Sequence, residues 1–236
     1  MNEPLTSQKL DLSIVIPTLN EQGNIGPLVG RCKTTLAELD ITYEIIAVDG
    51  GSKDNTVNEA EEAGARAIQQ EGRGYGGALR TGFKNARGQY IQTMDSDLSH
   101  EPEVIAQLWA AREKAEVTIA SRYVEGGGGD MPIFRAVLSK ILNVVFTTLL
   151  SIPVKDISSG FRLYKGDTVR AISFEAEDFD VLEEILIVIY VGGGRVAEVP
   201  FQYRPRQEGK SNAKLFKFAI AYLKTLYSMW KLRRSG

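Results

Sequence analysis

Histidine and cysteine are nearly absent from this chain of 236 residues: one His, at position 100, and one Cys, at position 32. A single cysteine excludes an internal disulfide and any cysteine-based metal cluster. A single histidine excludes the serine–histidine triads and the zinc sites built on two or three histidines. No apolar run is long enough to span a bilayer. Met1 to Lys9 is polar and lacks an apolar signal segment, so residues 1–10 are expected to be a frayed leader on a cytoplasmic protein. Acids are missing from the end of the chain. After Glu208 there are seven bases and no acid, whereas the first 209 residues carry 21 bases against 30 acids, net −9. An end so basic suggests an anionic partner, phospholipid head groups or another polyanion.

What is present is ample core material, 43% apolar residues, in an alternating order. Leu12–Pro17 and Tyr43–Asp49 read as strands around an amphipathic helix over 25–39, a βαβ unit. The alternation continues through a helix near 55–63, a weak strand at 65–69, a helix over 77–86, a strand ending at Asp95, a helix over 103–113 and a strand at 117–121. Such a pattern predicts an α/β fold with a mostly parallel sheet flanked by helices. Ligands on these sheets bind beyond the C-terminal strand ends, where Pro17–Glu21, Asp49–Ser52 and Asp95–Asp97 all fall.

The strand Tyr90–Met94 ends abruptly in Asp95-Ser96-Asp97. On extended backbone the two carboxylates share one face and repel unless a cation sits between them. Two oxygen-bearing side chains suit a hard divalent ion, Mg2+ or Mn2+, that completes its shell with water and substrate phosphates. The competing reading is a solvated Asp-x-Asp turn. Gly72, Gly74 and Gly77 formally match a dinucleotide fingerprint, but they follow the third strand and not the first. A flexible glycine loop opening a helix near a diphosphate is the more modest reading, with Arg73 and Arg80 as countercharges. Gly50 to Thr56 can be a ligand-approaching turn or simply a helix cap.

Past Arg122 the alternation breaks at Gly126–Gly129. From Phe134 to Leu150 runs a helix apolar around nearly its whole circumference, which fits central core or a lipid interface, with core favoured by the pattern. Acids concentrate over 178–184 ahead of an apolar helix, where they complement its dipole. A final strand is expected over 195–203, a basic loop over 204–212, and a basic amphipathic helix over 214–234 that can dock on the core or lie on a membrane.

Together these segments resemble the inverting GT-A glycosyltransferases that use polyprenyl phosphate, the dolichyl-phosphate mannosyltransferase-like group. Val15 to Glu21 is similar to the family's opening strand and base-binding loop, Val48 to Thr56 to its second donor motif, and Met94 to His100 to its metal motif. Ser121-Arg122-Tyr123, Asp156 to Arg162, and Glu198 through Ser211 are similar to the acceptor-side motifs. Two positions depart from the pattern: Gly50 replaces the second acid of the donor motif, and Ser99 stands where a glutamine is frequent.

The resemblance implies a GT-A domain over 11–212, with a nucleotide-sugar half (11–122) and an acceptor half (123–212), followed by the basic helix over 213–236. It implies donor contacts from Pro17, Leu19, Glu21, Val48, Asp49, Gly50, Gly74, Arg206 and Ser211, and a metal at Asp95, Asp97 and Ser99. Arg122, Arg135 and Ser139 are expected around an acceptor phosphate, and Asp156 as a base if the acceptor is a hydroxyl. The expected reaction is transfer of mannose or glucose from a nucleotide-sugar to a polyprenyl phosphate with inversion, at the cytoplasmic membrane face, reached peripherally or through a membrane-spanning partner. No nucleic-acid partner is expected. A hydroxyl-acceptor glycosyltransferase and a non-catalytic nucleotide-sugar-binding subunit are the alternatives.

Overall fold

The computed structural model describes residues 10–130, 133–204 and 230. Arg206, Ser211, the leader through residue 9 and, apart from Trp230, the helix expected over 213–236 lie outside the described residues.

The first half of the chain alternates as its hydrophobic pattern requires: β1 (Leu10–Thr18), α1 (Ile25–Ala37), β2 (Tyr43–Asp49), α2 (Thr56–Glu62), β3 (Arg66–Gln69), α3 (Gly74–Asn85), β4 (Gly88–Thr93), α4 (Val104–Ala110) and β5 (Val117–Ser121). The strands are apolar on both faces because helices cover both. Leu12, Ile14 and Ile16 of β1 pack with Leu28, Cys32 and Leu36 of α1, whereas Val15 packs with Leu79 and Phe83 of α3. Each such fully buried side chain contributes roughly 1.5–3 kcal/mol of transfer free energy.

The second half contains β6 (Gly128–Gly129), α5 (Ile133–Leu150), β7 (Arg162–Lys165), α6 (Gly166–Ala171), α7 (Val181–Val191), β8 (Val196–Pro200) and β9 (Gln202–Tyr203). The strand expected over 195–203 is interrupted at buried Phe201, and its last two residues pair with β6. The main sheet has the order β3-β2-β1-β4-β7-β5-β8. It is parallel except for β7, which runs antiparallel to both β4 and β5. Strand order reverses at β1, with β2 on one side and β4 on the other. The crevice at that switch point lies beyond Thr18, Asp49 and Thr93.

The core placement favoured for the helix over 134–150 needs correction. Asn143, Phe146 and Leu150 of α5 are buried, but Val137, Ile141, Val144, Val145 and Leu149 are exposed, between 39% and 56%. These five fall at helical spacing on one stripe, so α5 has one apolar face in the core and another in the open.

Candidate active site

A cleft of about 480 Å3 opens at the switch point. Of the expected residues, Pro17, Leu19, Glu21, Gly50, Gly74, Asp95 and Asp97 line it, joined by Thr18, Gln70, Arg73, Tyr75, Ser96 and Phe179. A somewhat larger hollow of about 590 Å3, around Pro153, Tyr190 and Arg195, lies by the N-terminal end of β8 and has no carboxylate pair in its lining. Chemistry therefore selects the first.

Two loops that form one wall are zipped together by side-chain to backbone hydrogen bonds. The amides of Asn20 and Glu21 donate to Ser52 Oγ and Thr56 Oγ1, and the amides of Lys53 and Asn55 donate to Asn20 Oδ1 and Gln22 Oε1. Asn20 adopts φ 54°, a left-handed conformation asparagine tolerates. Asp49 is buried, and its carboxylate accepts from the amides of Gly51 (2.9 Å) and Ser52 (3.1 Å). It shapes the loop. Val48, also buried, backs the same turn. A Cβ on Gly50 would come within 3.2 Å of Gln70 Oε1, so the Gln70 amide fills the space beside that glycine.

The opposite wall is the N-terminus of α3, which begins three residues earlier than its apolar pattern indicates. Gly72 and Gly74 line the cleft where α3 opens, but the expectation of Arg80 as a countercharge needs correction. The Gly76 amide donates to the carbonyl of Glu177 at 2.8 Å, and Arg80 donates to the carbonyls of Phe174 and Ala176. A Cβ on Gly74 or Gly76 would stand 2.1 Å or 2.0 Å from the carbonyl oxygens of Glu177 and Ala176. The glycines thus permit the 174–180 segment to lie directly on α3, and Arg80 is committed there. Arg73 lines the cleft as expected. Phe179, delivered by the same segment, stacks on Tyr75 with centroids 4.6 Å apart at 18°.

The floor is the end of β4. The Tyr75 hydroxyl donates to Asp95 Oδ1 at 3.1 Å, and the Ser99 amide donates to Asp97 Oδ1. Burial, reinforced by the charge of Asp97, raises the Asp95 carboxyl above its ordinary value. Burial and then the Asp95 charge push the Tyr75 phenol well above its ordinary range, which keeps it a donor. Ser99 is 1% exposed and is not among the cleft-lining residues, where Ser96 appears instead. His100 is buried with Nδ1 accepting from the Asp95 amide at 3.0 Å.

In the segment expected to face the acceptor, Asp156 is wholly buried, and the Arg122 guanidinium donates to both its oxygens and to Ser158 Oγ. Burial opposes the Arg122 charge, but the Asp156 hydrogen bonds and charge outweigh it and hold the guanidinium pKa above its usual value. Asp156, expected as a base if the acceptor is a hydroxyl, is thus engaged by Arg122 in this structure. The Arg122 fork expected on the acceptor phosphate is likewise turned toward Asp156. Ser139 of α5 accepts from the Tyr123 hydroxyl at 2.9 Å, while Asn143 donates to the Ser139 carbonyl and Ser158 Oγ. Arg135 lies in the first turn of α5.

Sequence reasoning missed Tyr75, Gln70 and Phe179. Tyr75 sits in a glycine-rich segment and Gln70 directly after β3, neither marked by periodicity, and Phe179 is brought in only by the tertiary packing of its segment.

Residues 13–172 match the family described as Glycosyl transferase family 2. The "Dolichol-phosphate mannosyltransferase" of Pyrococcus furiosus is 33% identical over 233 residues, covering 94% of this chain and 64% of the relative. The "Low-salt glycan biosynthesis hexosyltransferase Agl6" of Haloferax volcanii is 31% identical over 214 residues, covering 87% and 50%. The chain thus spans between half and two thirds of the length of these curated relatives. Among solved structures, glucosyl-3-phosphoglycerate synthase from Mycobacterium tuberculosis, in complex with Mn2+, uridine diphosphate and glucosyl-3-phosphoglycerate, superposes with a TM-score of 0.72 at 21% identity, covering 94% of this chain and 80% of that one. The expected GT-A architecture is borne out. With the family match covering most of the sheet and the strand-end carboxylates in the cleft, the chain belongs to glycosyl transferase family 2.

Proposed function

We propose that the chain transfers a hexose, mannose or glucose, from a nucleoside diphosphate sugar to a polyprenyl phosphate, with inversion, using Mg2+ or Mn2+. The observation that carries this reading is the Asp95 and Asp97 pair on the floor of a cleft that also holds Pro17, Thr18, Leu19, Glu21 and Gly50. Among the described residues no third His, Cys, Asp or Glu joins the pair to complete a metal cage. Two carboxylates with open positions fit a hard cation whose remaining ligands are diphosphate oxygens and water. Bound there, the ion would supply Lewis-acid neutralisation of the departing diphosphate.

The chain's own residues do the rest. Leu19, Glu21 and Gly50 border the space for the nucleoside, and Arg73 stands ready for diphosphate charge. Arg206 and Ser211 are proposed to close over the donor, and Arg135 and Ser139 to orient the acceptor phosphate. A phosphate oxygen of the acceptor attacks the anomeric carbon, and the bond to the diphosphate oxygen breaks with its electron pair. Because a phosphate monoester is largely ionised near neutral pH, with a second pKa of about 6, positioning suffices without a strong base. The buried Asp156 is consistent with that.

The lipid acceptor is supported by the name of the Pyrococcus relative and by the exposed apolar stripe of α5. No helix among the described residues is long and apolar enough to cross a membrane. A stripe of this kind suits insertion into a bilayer interface, here assigned to the cytoplasmic face, with or without a membrane-spanning partner.

The test is incubation of the full chain with Mn2+, a short polyprenyl phosphate and each of several labelled nucleotide-sugars, followed by extraction of label into organic solvent. Metal-dependent extractable label that disappears in Asp97→Asn supports the reading. Nucleotide-sugar binding without extractable label from any donor overturns the lipid acceptor.

A further inference from the structure

Asp95, whose side chain is half-buried, is held differently from the carboxylates that sit in ion pairs with lysine or arginine. Glu44 is gripped by Arg66 and Arg87, Glu116 by Lys165 and Arg195, and Asp156 by Arg122. At Asp95 the hydrogen-bonding groups are uncharged. Tyr75 donates its hydroxyl to Oδ1 at 3.1 Å. From the other side His100 offers Nδ1 to the Asp95 amide at 3.0 Å and holds Nε2 3.7 Å from Oδ2. An Nδ1 that accepts carries no proton, so in this geometry the ring is neutral and its proton sits on Nε2. The ring is fixed in turn. It stacks on Phe161 at 4.9 Å and 10°, and Phe201 closes against it edge-on at 5.4 Å.

A gap in the chain's side chains makes the Tyr75 contact possible. A Cβ on Gly160 would lie 2.8 Å from Tyr75 Oη and 3.3 Å from Asp95 Oδ1, so even alanine would wedge into that hydrogen bond. Gly74 and Gly76, which flank Tyr75, admit the carbonyls that pin its segment.

We propose that Tyr75 and His100 are positioning residues that fix the side chain and backbone of Asp95 for a divalent cation, and that the 72–77 glycine segment serves to deliver Tyr75. This rests on reading Asp95 and Asp97 as the cation pair. A cationic partner would fix Asp95 equally well but would cancel the charge that attracts the ion. A hydroxyl donor on the carboxylate and an imidazole acceptor on the amide set the geometry and leave the charge. Without them the carboxylate must give up rotamer freedom on binding, and affinity falls.

The experiment titrates Mn2+ alone into the full chain, with free ion read by electron paramagnetic resonance, at a temperature where circular dichroism shows every variant folded. Tyr75→Phe keeps the stack on Phe179 and removes one hydroxyl. His100→Asn keeps an acceptor oxygen in place of Nδ1, and His100→Ala keeps none. The expected result is Mn2+ binding by the wild type, loss in Asp97→Asn, weakening by about 10- to 100-fold in Tyr75→Phe and His100→Ala, and partial recovery in His100→Asn. Because the chain has one histidine, nitrogen NMR reads its tautomer without assignment, and Nε2 should carry the proton. Wild-type affinity retained in both Tyr75→Phe and His100→Ala, or a proton on Nδ1, overturns the positioning role alone. Absence of Mn2+ binding by the wild type overturns the cation-pair reading, and this inference falls with it.

Discussion

Arg122 meets Asp156 in a two-pronged ion pair, Nε to Oδ2 at 2.8 Å and Nη2 to Oδ1 at 2.7 Å. The pair ties the end of β5 to the loop that precedes β7, and Glu198 of β8 accepts from the Asp156 amide behind it. Removing one partner leaves a charge buried without compensation. Asp156→Ala should therefore lose about 3–5 kcal/mol of stability, read as a lowered urea midpoint. A protein whose Asp156→Ala variant loses transfer activity with an unchanged midpoint would instead require a chemical role for that carboxylate.

The glycine at 76 offers a test by sign. An alanine in place of glycine within an ordinary helix gains about 0.8–1 kcal/mol. Here the added methyl would meet the Ala176 carbonyl at 2.0 Å, so Gly76→Ala should lose about 1–3 kcal/mol and speed hydrogen exchange over 174–180. Thermal denaturation and exchange mass spectrometry check both.

Acid stability should depend on Glu116. Burial alone would raise its carboxyl, but the Arg195 amide at 2.6 Å and the Lys165 ammonium at 3.1 Å outweigh that and hold it down at about 2 from the usual 4.5. A pKa depressed in the folded state means the stabilisation is complete above about 4.5 and drains away as pH falls toward 2. Glu116→Gln should flatten the stability profile across that window and leave its shape above pH 5 unaltered. Denaturant midpoints taken between pH 2.5 and 7 give the comparison.

Cys32 is a built-in reporter of unfolding. It is fully buried, with Sγ 3.7 Å from Met94 Sδ, and burial pushes its thiol up to about 12. At pH 8 it should resist a disulfide reagent in the native protein and react at the rate of global opening. Fast labelling under native conditions would contradict the packing of α1 against β1 and Met94.

On α5, Ile141 and Val144 are 55% and 56% exposed, so changing both to aspartate should alter stability by no more than about 0.5 kcal/mol. Flotation with anionic vesicles should drop sharply in the same variant. Unchanged flotation would remove α5 as the proposed lipid contact.

Much of this was legible in the sequence, and the exceptions share a cause. β1, β2, β4 and β5 announce themselves as apolar runs ending in polar residues, and Asp95 with Asp97 stands out because packing gives no reason for two acids there. α5 was harder, since a helix apolar on every side carries no phase to say which face the core will cover. The glycines at 74 and 76 were visible, but what they accommodate is a backbone roughly a hundred positions later. The same holds for the Arg122 fork. A guanidinium near a phosphate motif reads as a ligand contact until tertiary structure supplies an aspartate.

β7 has only four residues, yet among the described strands it alone links the two parts of the hydrogen-bonded sheet: β3-β2-β1-β4 lies on one side and β5-β8 on the other. Its last register pair with β4, Thr93 to Arg162, sits two positions before Asp95. A slip of one residue would turn Arg162 out of its nest of carbonyls at Ser159 and Leu182 and send Leu163 into its place. The seam is therefore an alignment pin between the part of the chain that carries Pro17, Gly50 and Asp95 and the part that carries Arg122. Mechanical or denaturant stress across the sheet should part it there first, and catalytic alignment would be lost while both flanking ladders still stand.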